Sequence, residues 1–299
     1  MFKRTLLLGI LFCIAVSALA FAQADVPFGM LDPKAYTPGV DPDPNMFIGN
    51  WRDTIPRHIH GSLVVRDILT KLEGTDDLRP TRKAAVLTTL NSVSYATIEP
   101  NAHTTPFTNK DEQELYYITS GTGVVKSGDL TYDLKEGVGV IVAPGIEYTM
   151  TNTCSKEHLA MIRIVEPIPA GFTPNKKLVV TYEYDNNEAM SVHWANIDRS
   201  ILSKKDGAAV VGGLTAVKLD PMTMAQPHSH QKGVEEVWIA LKGDVTLLFG
   251  KHLFKLPVGA AYKVPENGLC AHSNINASDK QVKLMHMMHI PEGAVRRLR

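Results

Sequence analysis

Pro227-His228-Ser229-His230-Gln231-Lys232-Gly233-Val234-Glu235-Glu236-Val237-Trp238-Ile239-Ala240-Leu241-Lys242-Gly243 is the stretch whose reading decides the fold. Side chains of an extended backbone alternate faces, so His228 and His230 project the same way. A short loop through Gly233 follows. The acid pair Glu235-Glu236 then opens an apolar run that reads as a buried strand ending at Gly243. Further on, Gly259 and Pro265 bracket a turn, and His272 supplies a third imidazole four residues before Asn276. Three imidazoles and one carboxylate form a common ligand set for a divalent first-row metal with open coordination positions.

This layout resembles the two motifs of the cupin superfamily, of the germin-like and type-2 kind: HxH, a spacer, Glu, six residues and Gly; then Gly, Pro, Gly, His and Asn. The resemblance implies that His228, His230, Glu236 and His272 are metal ligands, with Gly243, Gly259, Pro265 and Asn276 at turn positions. The chain departs from the pattern twice. Glu235 would keep the family's four-residue spacer after His230, whereas only Glu236 keeps the six-residue gap to Gly243. A loop absorbs an extra residue more easily than a strand, so Glu236 is the expected ligand and Glu235 the alternative acid. The turn also carries one extra residue on each side of Gly268. A second HxH, His58-Ile59-His60, has no acid at the right distance and is expected not to ligate.

An earlier segment repeats the pattern faintly. Glu99-Pro100 and Asp220-Pro221 each reach a second proline six residues later, Pro106 and Pro227. Glu114 to Gly121 parallels Glu236 to Gly243, and Asn152 parallels Asn276. The expected fold is therefore all-β: two tandem cupin (jelly-roll β-barrel) domains, a bicupin, over 84–167 and 208–292. An N-terminal arm (25–83), a long connection (168–207) and a tail (293–299) complete it. In the arm, 62–70 reads as a strand, and the resemblance implies that such arms pack across the second domain or a neighbouring subunit. In the connection, 177–184 reads as a strand and 196–202 as a short helix.

The earlier copy has lost its ligands. Phe107 and Asn109 stand at the HxH positions and Tyr148 at the third histidine; Glu114 alone survives. The first barrel is expected to be metal-free, either structural or binding an organic ligand through Glu114, Tyr116 and Tyr148. His103 lies off the ligand positions. On the last strand, the odd spacing of His286 and His289 puts them on opposite faces, with core or surface roles favoured over support of the metal site.

Basic and acidic residues balance at 31 each, so nothing points to nucleic acid or an anionic membrane surface. Lys3 and Arg4, an apolar run to Phe21 and then Ala22-Gln23-Ala24 have the three parts of a secretory signal. Cleavage after Ala24 would give a periplasmic or secreted protein of exported bacterial type, with no membrane contact thereafter. Of three cysteines, only Cys154 and Cys270 would then remain, so stability must come from a packed core.

A metal on three imidazoles and a carboxylate leaves positions for a chelating substrate. Fe(II) or Mn(II) is favoured, with Zn(II) or Ni(II) next. Trp238 and Ala240 share the face of Glu236, and Cys270, two residues before His272, is a further pocket-lining candidate, though a buried apolar role suits it better. No catalytic acid or base stands out; Glu235 and Lys263 are candidates only. No dinucleotide or phosphate fingerprint is evident. Two readings follow. One is a metal-dependent dioxygenase, or a non-redox lyase, isomerase or decarboxylase, on a small oxygen-rich molecule. The other is a non-catalytic binding or storage-type protein that keeps the metal for structure. Either is compatible with a homo-oligomer.

Overall fold

Short apolar runs ended by Gly or Pro cannot support long helices, and the chain folds as strands joined by tight turns. The computed structural model describes residues 42–191 and 193–291; the signal at 1–24 and the tail at 293–299 lie outside them. Helical structure among the described residues consists of four short 3₁₀ turns.

The strands form two copies of one arrangement. The first large sheet runs, neighbour to neighbour, Val179–Tyr182, Val138–Val142, Glu112–Ser120, Leu159–Pro167, Ser92–Ile98, Leu63–Lys71 and Arg57–Ile59. Facing it is a small sheet of Phe107–Thr108, Glu147–Asn152, Gly123–Ser127 and Leu130–Leu134. The second large sheet runs Ile48–Asn50, Ala260–Lys263, Glu235–Lys242, Val282–His289, Gly213–Leu219, Ile197–Ser203 and Ala189–Met190. Its small sheet is Thr223–Met224, His272–Asn276, Val245–Phe249 and His252–Leu256. The order is the same in both. Asn152 and Asn276 do the same work: each side-chain amide reaches three carbonyls, those of Ile98, Glu99 and Glu157 in one barrel and of Leu219, Asp220 and Lys280 in the other.

The barrels exchange strands. Ile48–Asn50, in the N-terminal segment, pairs with Ala260–Lys263 of the second barrel, and Val179–Tyr182, in the connection, pairs with Val138–Val142 of the first. Gly49 permits the first exchange, since a Cβ there would stand 2.0 Å from the Ile68 carbonyl oxygen. The segment at 62–70 is the strand Leu63–Lys71 of the first barrel. The segment at 196–202 is not a helix but the strand Ile197–Ser203, paired with Gly213–Leu219. A bulge between Ser200 and Leu202 buries both Ile201 and Leu202, so the period-two alternation is broken and Ile197, Ile201 and Leu202 imitate a helical stripe.

Alternation along Glu112–Ser120 explains how the barrels meet. Tyr116 and Ile118 belong to the first barrel's interior core, whereas Leu115 and Tyr117 join a second core that holds the other barrel's interior and the contact between the two. Two carboxylates tie the contact. Glu166 accepts the amides of Ala209, Val210 and Val211 at 2.9, 3.0 and 2.6 Å. Glu235 accepts those of Thr88, Thr89 and Leu90, with the Thr88 hydroxyl at 2.8 Å.

Candidate metal centre

The second barrel gathers its histidines by backbone pairing. His228 and His272 exchange amide hydrogen bonds, His228 N–H to the His272 carbonyl at 3.2 Å and the reverse at 2.8 Å. The loop after them is pinned to the Pro265 turn: Gly268 N–H donates to the His230 carbonyl at 2.7 Å, Ser229 donates to the Gly268 carbonyl, and Gly233 N–H donates to Glu266. Glu266 is held by the fully buried Lys263 at 2.7 Å, and it shares the single Thr88 hydroxyl proton with Glu235, each at 2.8 Å. Lys263 and Glu235 thus brace the loop and the barrel contact, and neither is placed as a base at the histidines.

His228, His230, Glu236 and His272 each offer one ligand atom, and the four atoms lie within 4.8 Å of one another. Glu236 Oε2 is 2.7 Å from His230 Nε2 and 2.9 Å from His272 Nε2. Glu235, one residue earlier on the strand, faces the other way toward residues 88–90. The tautomers are dictated by the outer nitrogens. His228 Nδ1 lies 3.0 Å from the Gln226 carbonyl, which only accepts, so Nδ1 carries the proton. Tyr262 donates to Asn274 at 3.2 Å and therefore accepts from His272 Nδ1 at 3.2 Å. His228 Nε2 and His272 Nε2 then face each other as bare lone pairs, 3.2 Å apart. Both His230 Nε2 and Glu236 Oε2 are buried without a hydrogen bond of good geometry, despite their closeness. The converging lone pairs of His228 and His272 are the arrangement a cation resolves, and three nitrogens with one oxygen suit a divalent first-row metal. The residues fit the group.

Electrostatics agree for His228, His272 and Glu236. Burial pushes His272 down to about 4, against the pull of Glu236. Burial likewise lowers His228. Glu236 is held well below the usual carboxylate range: burial works to raise it, but His230 and His272 outweigh that. For His230 the attraction of Glu236 wins over burial and raises it.

Around these four stand residues that sequence reasoning placed poorly. His286 Nε2 lies 2.8 Å from Glu236 Oε1, so its role is support of the carboxylate rather than mere core or surface. Its odd-spaced partner His289 turns to the Val210 carbonyl, as opposite faces require. His193, in the connection, stacks flat on His228 with centroids 4.5 Å apart, and its Nδ1 is buried without a partner. Burial and the neighbouring His228 push it down to about 4. Asp198 also couples to His286, and burial raises it to about 6. Trp238 lies beside His286 at 4.5 Å and His272 at 6.4 Å and forms the aromatic wall. Ala240 and Cys270 are buried in the barrel core, with Cys270 beside the Gly250 turn.

The first barrel fills the equivalent space with its own side chains. The backbone register pairs Tyr148 with Phe107, as His272 pairs with His228. Arg163 lies opposite Tyr116 as His286 lies opposite Trp238. Glu114 accepts from Arg163 Nε at 3.0 Å, from Tyr148 at 2.5 Å and from Tyr116 at 3.2 Å, with His60 Nε2 at 3.3 Å. Burial works to raise Glu114, yet His60, Arg163 and Tyr148 hold it at about 2. The His58-Ile59-His60 pair, expected not to ligate, sends His60 inward against the Phe107 ring at 3.6 Å. His60 and His193 are counterparts, since each carbonyl receives the amide of the residue before the matching proline, Thr105 or Gln226.

Residues 94–165 match the cupin domain family. No curated protein matches the sequence significantly. Among solved structures, a glyoxylate-induced protein from Pseudomonas aeruginosa superposes with a TM-score of 0.63 at 13% identity, covering 82% of this chain and 88% of that one. An oxalate decarboxylase from Lactobacillus farciminis, solved with formate, gives 0.62 at 13% identity over 82% and 86%. The oxalate decarboxylase of Bacillus subtilis, a protein with Mn(II) centres, gives 0.62 at 12% over 84% and 78%. Residues 94–165 thus carry a cupin domain, and the two-barrel fold is the one these structures share. At these identities the structural likeness speaks for the fold alone.

Proposed function

We propose that this bicupin binds one divalent metal, Mn(II) favoured, through His228, His230, Glu236 and His272, and acts as a non-redox lyase or decarboxylase on a small, oxygen-rich carboxylic acid. The observation that carries the metal is the pair of lone-pair nitrogens, His228 Nε2 and His272 Nε2, facing each other at 3.2 Å. When bound, the metal would supply Lewis-acid polarisation of substrate oxygens. The chain supplies the rest. Trp238 gives one apolar wall, and His193 offers an unpartnered Nδ1 beside His228, suited to a hydrogen bond with a substrate oxygen. The fold shared with oxalate decarboxylases makes short dicarboxylates the first acids to try.

The test is turnover by Mn(II)-loaded protein of oxalate, other short dicarboxylates, 2-oxo acids, diketones, catechols and flavonols, with CO2 release and O2 uptake followed together. Release of CO2 from an acid without net O2 consumption is expected. Stoichiometric O2 uptake would make the protein an oxygenase, and inertness across the panel would favour a binding or storage role. The first barrel, whose carboxylate is saturated by Arg163, His60 and two tyrosines, is proposed to be metal-free and structural. Export with cleavage after Ala24 is also proposed, on the signal-like 1–24; a mature N-terminus at Asp25 by mass spectrometry would support it, and an intact Met1 would refute it.

A further inference from the structure

Glu236 has two oxygens with different surroundings. Oε2 faces the histidine nitrogens, 2.7 Å from His230 Nε2 and 2.9 Å from His272 Nε2. Oε1 faces away from them, 2.8 Å from His286 Nε2. We propose that His286 holds Glu236 as a one-oxygen ligand and thereby keeps two positions on the metal open for a chelating substrate. The proposal rests on the metal reading given above. A carboxylate that swings both oxygens onto a metal occupies two positions, and with three imidazoles that would leave a six-coordinate ion only one. A hydrogen bond to Oε1 opposes that swing, because turning Oε1 toward the histidine nitrogens would stretch its 2.8 Å contact with His286.

Three observations support His286 in this part. It lies on Val282–His289, directly opposite Trp238 in the ladder, so the strand pairing fixes its direction. Its ring is held beside the Trp238 ring at 4.5 Å. The equivalent position in the first barrel is Arg163, which also addresses one oxygen of its carboxylate, Glu114 Oε1. Two barrels that share no ligands other than the acid thus place a donor against the same side of it. Outer partners of this kind orient metal ligands and tune affinity.

The experiment uses full-length protein loaded with Mn(II) and reads the water bound to the ion by water-proton relaxivity, checked by line broadening in ¹⁷O-enriched water. Wild type is expected to show two exchangeable waters, His286→Phe one, with relaxivity falling about twofold at unchanged Mn(II) stoichiometry. His286→Gln, which keeps an N–H, should retain nearly the wild-type value. Equal hydration in wild type and His286→Phe, each with one Mn(II), would overturn the proposal while leaving the metal reading intact. Failure of wild type to bind Mn(II) would instead sink the metal reading itself. Should His286→Phe not hold the ion, His286→Met, equally without an N–H, takes its place in the comparison.

Discussion

At the scale of single residues, Glu235 and Glu236 show how one step along a strand separates two functions. Adjacent strand residues face opposite ways, so Glu236 joins the histidines while Glu235 caps the amides of residues 88–90. Glu236→Gln should abolish metal binding in elemental analysis. Glu235→Gln should keep the metal and lower stability by roughly 1–3 kcal/mol, since buried amides lose a charged acceptor. The reverse pattern would show that the spacing to Gly243 was the wrong guide. In the first barrel, Arg163→Ala would take from the buried Glu114 its permanently charged partner, leaving His60 and two tyrosines, a loss of up to roughly 3–5 kcal/mol with metal content unchanged. Glu114 also makes a pH prediction. Its carboxyl sits at about 2 rather than the ordinary 4.5. A depressed carboxyl stabilises fully above the ordinary value, and that contribution disappears as pH falls from 4.5 toward 2. Between those limits wild type should lose about 3 kcal/mol more than Glu114→Gln in denaturant titrations; parallel losses would mean that Glu114 is not held down as described. The convergence of His228, His230, Glu236 and His272 was legible through the resemblance to the cupin motifs, whose turn residues anchor their spacing. His193 and His60 were not legible in this way. The stretch from His60 to Pro106 is about a dozen residues longer than that from His193 to Pro227, so the loop length hides their equivalence.

At the scale of elements, the alternation of apolar residues and the Gly/Pro turns made most strands readable, among them Glu235–Lys242 and Leu63–Lys71. Ile197–Ser203 was misread because its bulge buries two neighbours in succession, and a local pattern cannot reveal a bulge that only the partner strand defines. The resemblance implied an arm packed across the second domain, but its strand partner was hidden in the residues themselves. Nothing within Ile48–Asn50 says that its partner is Ala260–Lys263, more than two hundred residues away. The exchange has a consequence for folding. Gly49→Val would drive a side chain into the Ile68 carbonyl, 2.0 Å from the Cβ position. That should destabilise by at least roughly 1–3 kcal/mol, as overpacking does, and should weaken the second barrel although the mutation lies well before it in sequence. Calorimetry on this variant should show one shifted transition; a first barrel melting alone, with the second unchanged, would contradict the exchanged pairing.

At the scale of the whole molecule, two barrels of one design differ in how the buried carboxylate is satisfied. In the first, Arg163, His60 and two tyrosines surround Glu114. In the second, Glu236 meets His230 and His272, whose partner His228 turns a lone pair toward His272. The first arrangement carries its own positive charge and the second calls for one from outside. The most direct measurement is therefore elemental analysis of protein purified and dialysed at neutral pH, set beside His272→Ala and Tyr148→Ala at the equivalent positions. The account predicts close to one divalent metal ion per chain for wild type, none for His272→Ala, and one for Tyr148→Ala in whatever fraction remains folded. Two ions per chain in wild type, or a metal that survives His272→Ala and is lost with Tyr148→Ala, would contradict it.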